Sequence, residues 1–103
     1  MAARHSALLT ACCDYVAARG GLLTKMQAGR VRVGKGWIHM GKRGWPDAVG
    51  LLPGGQFLGV EVKIGRDTVN EAQARMHAEI QKRGGVVVVV RDLRDLQSAL
   101  EVA

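Results

Sequence analysis

Asp47, Glu61 and Lys63 are the residues of this chain best placed to do chemistry together. Residues 47–52 and 56–63 are strand-like, and Pro53-Gly54-Gly55 between them has the composition of a turn. With Gly54 at the centre of a three-residue turn, Asp47 lies opposite Glu61, their Cβ atoms about 5 Å apart. Glu61 and Lys63 are two apart and project from one face of their strand, while Leu58, Val60 and Val62 point the other way, into a core. A two-residue turn would shift the register by one and send Asp47 and Glu61 to opposite faces. A bulge or a crossing strand would then be needed to reunite them.

Two carboxylates at that separation repel unless a cation sits between them. Mg²⁺ or Mn²⁺ suits oxygen ligands and keeps positions open for water and phosphate. Such an ion activates water and stabilises charge on a phosphate. Lys63 would orient that water or offset the charge of a pentavalent transition state. Glu-Val-Lys alone is an ordinary piece of a surface strand with alternating charges. An aspartate at matching register, directly after Gly44-Trp45-Pro46, moves the balance towards function.

Gly44-Trp45-Pro46-Asp47, then Gly59-Val60-Glu61-Val62-Lys63, then Asp67 and Gln73 closely resemble the virus-type replication-repair nuclease (VRR-NUC) domain, a compact branch of the PD-(D/E)XK nucleases. The resemblance runs from the first helix to the strand near Val88. It implies an α/β fold with a compact αβββαβ core, its mixed sheet flanked by helices, and divalent-metal hydrolysis of DNA phosphodiesters. Branched or flapped DNA is the substrate that the family suggests, in a phage or prophage setting. Carried over, Asp47 and Glu61 would be metal ligands, Lys63 the catalytic lysine, and Gln73 the glutamine beside the active site.

Gln73 has a second reading. Asn70-x-x-Gln73 fits a capping box, in which Gln73 bonds the Asn70 backbone. Gln73 also shares a helix face with Met76 and Ile80, so it points towards the sheet, and one side chain can serve both roles. One departure from the family stands out. Many relatives carry a metal-holding glutamate in the first helix, and His5 falls about where it is expected. Imidazole ligates Mn²⁺ but suits Mg²⁺ poorly. A lone histidine is more often a capping or packing residue. The change favours a one-metal site over two.

The elements that must position these residues can be read from periodicity. Residues 4–19 carry Leu8, Ala11, Cys12, Tyr15 and Val16 as an amphipathic helical stripe, stopped by Gly20-Gly21. Residues 22–26 suit a short strand. Residues 27–45, rich in glycine, read as a loosely paired hairpin or mobile loop. A second helix over 71–83 ends at Gly84-Gly85. Residues 86–90 are all valine, as in a strand buried on both faces. Asp92 or Asp95 starts a last helix with Leu93, Leu96 and Leu100 inward.

With 103 residues and 48% apolar content, the chain has the material for one folded domain, spanning 1–103. A net charge of +6 favours a polyanionic partner. Arg19, Lys25, Arg30, Arg32, Lys35, Lys42 and Arg43 follow one another with no intervening acid and lead straight to Asp47. Interleaved glycines permit close approach, and Trp37 and Trp45 offer stacking surfaces, as a DNA-tracking loop needs. Trp45, next to Pro46, is read as core. Arg66 and Arg75 add phosphate contacts, although an exposed helix face explains Arg75 equally well. The sequence contains no apolar run long enough to span a membrane and no signal-peptide order, which predicts a cytoplasmic protein. Cys12 and Cys13 are adjacent and suit neither a disulfide framework nor a zinc site.

The expected activity is endonucleolytic cutting of DNA. The rivals are a nuclease fold that only grips DNA and an RNA- or partner-binding α/β protein. A symmetric homodimer would match the two strands of a duplex. The first helix or the Leu93-Leu96-Leu100 stripe would supply its contact, unless both are ordinary core.

Overall fold

The computed structural model describes residues 2–26, 29–40 and 44–102. Its elements are α1 (Ala2–Ala18), β1 (Leu22–Lys25), β2 (Gly29–Val33), β3 (Gly36–Met40), β4 (Ala48–Leu51), β5 (Phe57–Val62), α2 (Glu71–Lys82), β6 (Val86–Val90) and α3 (Leu93–Val102). Four strands form one sheet in the order β1-β4-β5-β6. The β1/β4 and β4/β5 pairs are antiparallel, and β5/β6 is parallel, joined through α2 because parallel neighbours need a crossover. The sheet is therefore mixed, and its elements follow the order α-β-β-β-α-β with α3 appended. Between β1 and β4 the chain makes a separate two-stranded sheet, β2-β3. No described helix is long and apolar enough to cross a membrane.

The β4–β5 register is the one expected. Ala48 pairs with Val60, Val49 with Gly59, Gly50 with Leu58 and Leu51 with Phe57. Leu52 donates its backbone N–H to Gln56 O at 2.8 Å, which leaves three residues in the loop. Gly54 and Gly55 both have φ near +100°, a conformation that β-carbon crowding denies to most residues. The loop composition thus sets the pairing, and the pairing sets which side chains share a face.

One face of β5 is apolar. Leu58, Val60 and Val62 are fully buried and join Leu9, Cys12 and Val16 of α1 and Leu96 and Leu100 of α3 in a single core. Both helix faces considered for dimer contact are thus core. The α3 start is held by Asp95, whose carboxylate accepts the backbone N–H groups of Arg91 and Asp92, and by Asp92, which accepts from Arg94 N. Burial raises the Cys12 thiol to about 11, with Cys13 contributing, and burial also raises Cys13. Both remain free thiols.

One expectation changes and one open alternative is settled. The all-valine strand β6 is not buried on both faces throughout: Val88 and Val90 are buried, but Val86, Val87 and Val89 are only half-covered. Its position at the sheet edge is the reason, since among the described residues no further strand covers that flank. Residues 29–40, left open as hairpin or loop, form an antiparallel ribbon with Val31 paired to Ile38.

Candidate active site

Asp47 sits at the bend just before β4, where Trp45-Pro46 has taken the chain out of the regular ladder. Its side chain stands in for the missing ladder partner: Oδ2 accepts the Val62 N–H at 2.9 Å. Its backbone carbonyl accepts from Met26 N at 2.7 Å, which ties the bend to the end of β1. Pro46 is fully buried, but Trp45, read as core, stays half-exposed and outside the core cluster, its ring meeting Phe57 at 5.8 Å and 58°. Gly44, at φ +84°, lies against the first turn of α2, and a β-carbon there would overlap the Ala72 carbonyl. The Gly-Trp-Pro-Asp segment is therefore wedged between sheet and helix, and Asp47 is aimed by that wedge.

Glu61 and Lys63 emerge on the β5 face opposite the apolar core. Glu61 is 1% exposed and Lys63 5%. Charges so deeply placed require partners, because removal from water costs several kcal/mol unless attraction and hydrogen bonds offset it. The Lys63 ammonium donates to Gln73 Oε1 at 2.8 Å and lies 4.0 Å from Glu61 Oε2 and 3.8 Å from Asp67 Oδ2. Gln73 Nε2 in turn donates to Glu61 Oε2 at 3.2 Å. Gln73 also completes the capping box: its Oε1 accepts from Asn70 N, and its backbone N–H bonds Asn70 Oδ1. The two roles read from the sequence coexist in one side chain.

Burial is the first cause of a raised Glu61 pKa, and hydrogen bonding and repulsion from Asp47 add to it; Lys63 acts the other way. The result is about 8. At neutral pH the metal-free site therefore holds a proton on Glu61. A divalent cation between Asp47 and Glu61 would remove both penalties, and two hard carboxylate oxygens fit Mg²⁺ or Mn²⁺. Among the described residues no group of three or more acidic, histidine or cysteine side chains converges as a complete metal cage. Two protein carboxylates leave the remaining positions to water and substrate, as is usual for Mg²⁺.

Two histidines flank the carboxylates. His5 Nε2 lies 3.2 Å from Asp47 Oδ2, so the first-helix position singled out in the sequence does reach the site. His77 Nε2 lies 3.4 Å from Glu61 Oε1 and is 8% exposed. Sequence reasoning missed His77. The available signal was its spacing: four residues after Gln73, it belongs to the same helix face.

The basic residues are less gathered. Arg30 and Arg32 fall on β2, Lys35 is exposed in the β2–β3 turn, and Lys42 and Arg43 lie outside the described residues. Arg66 is exposed on the loop after β5, two residues beyond buried Ile64. Arg91 steadies that loop by donating to Gly65 O and Asp67 O at 3.3 and 2.8 Å. Arg75 pairs with Glu71 one turn away on the exposed face of α2, the plainer of its two readings. Compared with known protein families, curated proteins and solved structures, the chain shows no significant match.

Proposed function

We propose that the chain is a divalent-metal-dependent DNA endonuclease of the VRR-NUC type, within the PD-(D/E)XK nucleases. The observation that carries this reading is the buried Glu61–Lys63–Gln73 cluster with Asp47 beside it. A fold gains no stability from burying a carboxylate whose pKa is raised to about 8, so its burial points to a task. Asp47 and Glu61 would hold Mg²⁺ or Mn²⁺, which when bound supplies Lewis-acid activation of water and of the scissile phosphate. Gln73 aims the Lys63 ammonium, and that fixed charge stabilises the extra negative charge on the phosphate as it is attacked. The core packed beneath β5 keeps these groups from drifting, which matters because catalysis depends on placement. Arg30, Arg32, Lys35, Lys42, Arg43 and Arg66 would grip the DNA backbone, a sequence-independent contact.

The direct test is a cleavage panel of single-stranded, duplex, flapped and four-way DNA with Mg²⁺ or Mn²⁺. Metal-dependent cutting of any of them supports the reading, and none with either ion overturns it. A second reading, a nuclease fold that binds DNA without cutting it, draws on one observation. His5, not a carboxylate, meets Asp47. Binding without cleavage across the panel would favour it. Symmetric pairing of two copies would suit duplex or junction DNA. Its contact would have to avoid the α1 and α3 faces used in the core, and light scattering with and without four-way DNA reads the pairing directly.

A further inference from the structure

Glu61 has two oxygens to satisfy on a side chain that is almost fully buried. Oε2 accepts from Gln73 Nε2 at 3.2 Å, and Oε1 faces His77 Nε2 at 3.4 Å. Gln73 and His77 are one helical turn apart on α2, so a single helix face delivers both groups to one carboxylate. The capping box at Asn70 and Gln73 fixes where that helix begins and therefore the height at which both arrive. Packing alone does not call for a histidine here, since leucine or phenylalanine would fill the site without a polar ring to satisfy. An imidazole nitrogen that faces an ionised carboxylate oxygen meets it with an N–H, since an ionised carboxylate can only accept.

We propose that His77 is a positioning residue for Glu61, its Nε2–H on Oε1 and the Gln73 amide on Oε2 together locking the carboxylate in the orientation that receives the metal. The inference rests on the metal-nuclease reading and goes beyond it. Outer partners of a metal ligand restrict its rotation, and losing one typically costs about 10–100-fold in metal affinity or activity. The 3.4 Å separation is long for a hydrogen bond and would shorten when Glu61 is fully charged.

Two measurements test the clamp, one without metal. In ¹⁵N-correlated imidazole spectra of the metal-free protein at pH 9, where Glu61 is ionised, His77 should carry its proton on Nε2. A proton on Nδ1 overturns the proposal whatever the metal does. Calorimetric titration with Mn²⁺ then compares wild type, His77→Leu and His77→Gln, each with its fold checked by circular dichroism. Leucine should weaken binding by about 10–100-fold. Glutamine, which places an N–H near the Nε2 position, should restore it to within about threefold, a recovery that a packing role would not give. Equal affinity in wild type and His77→Leu overturns the proposal, as does a glutamine variant no better than leucine. A wild type that takes up no Mn²⁺ fails the nuclease reading instead, and the proton position alone then decides the clamp.

Discussion

The two faces of β5 differ as sharply as any two regions of this molecule. On one, Leu58, Val60 and Val62 disappear into a dry core shared with α1 and α3. On the other, one residue out of step, Glu61 and Lys63 are buried almost as deeply but bonded to the polar side chains of α2. The strand's two-residue period lets stability and chemistry occupy the same backbone without mixing. Truncation of the apolar face should therefore cost folding and spare chemistry, whereas neutralising the polar face should do the reverse.

The largest effect expected is on cleavage by Glu61→Gln. On the proposed metal-site reading, loss of this ligand should lower the rate by about 10²–10³-fold. The same variant should make the metal-free protein more stable. Because the folded-state pKa of Glu61 lies above its unfolded value, its contribution is fully present below about 4.5 and is lost as pH rises through about 8. Melting curves in chelator should show wild type losing stability across that window and the variant not. Leu58→Ala should show the opposite pattern. A cavity in the core should cost about 3 kcal/mol and roughly 10–20 °C of Tm, with cutting per folded molecule kept. If both variants lose stability and activity together, the division between the two faces is wrong.

Metal uptake should follow the same proton. On the proposed reading, ionising Glu61 is part of binding, so Mn²⁺ affinity measured by calorimetry should fall about tenfold for each pH unit below 8 and level off above it. An affinity that is flat from pH 6 to 9 would separate Glu61 from the metal. Next in size is DNA binding by the ribbon. Neutralising Arg30, Arg32 and Lys35 together should weaken all DNA sequences alike and reduce the salt slope of log K by about 0.9 per duplex contact removed. Unchanged affinity and slope would place the DNA on other residues. The smallest effect belongs to His5. With an imidazole beside Asp47, Mn²⁺ should support more activity than Mg²⁺, and His5→Glu should narrow the gap. An unaltered preference would leave His5 as a hydrogen-bond partner and nothing more.

What could be read in advance followed local rules. The β4–β5 register was legible because Pro53-Gly54-Gly55 admits a three-residue loop, and the loop length sets which residues pair. The α2 capping box was legible because its residues lie three apart. The edge exposure of β6 was not, because an all-valine run carries no alternation to tell a covered flank from an open one.

By itself the sequence determined the alternation along β5 and the loop register that sets Asp47 opposite Glu61, since both depend on neighbours a few residues away. The resemblance added Gln73 and the His5 position to the site, but which atoms would meet, and that His77 would join them, was left undecided. That α2 sets Gln73 and His77 against Glu61, and that α1 carries His5 to Asp47, depends on how helices far along the chain dock on the sheet. Docking is chosen by the fit of whole apolar faces, Leu9, Cys12, Val16, Leu96 and Leu100 against Leu58, Val60 and Val62. No spacing between a histidine and a carboxylate that lie 16 or 42 residues apart encodes that fit, so only the tertiary structure could bring the pairs together.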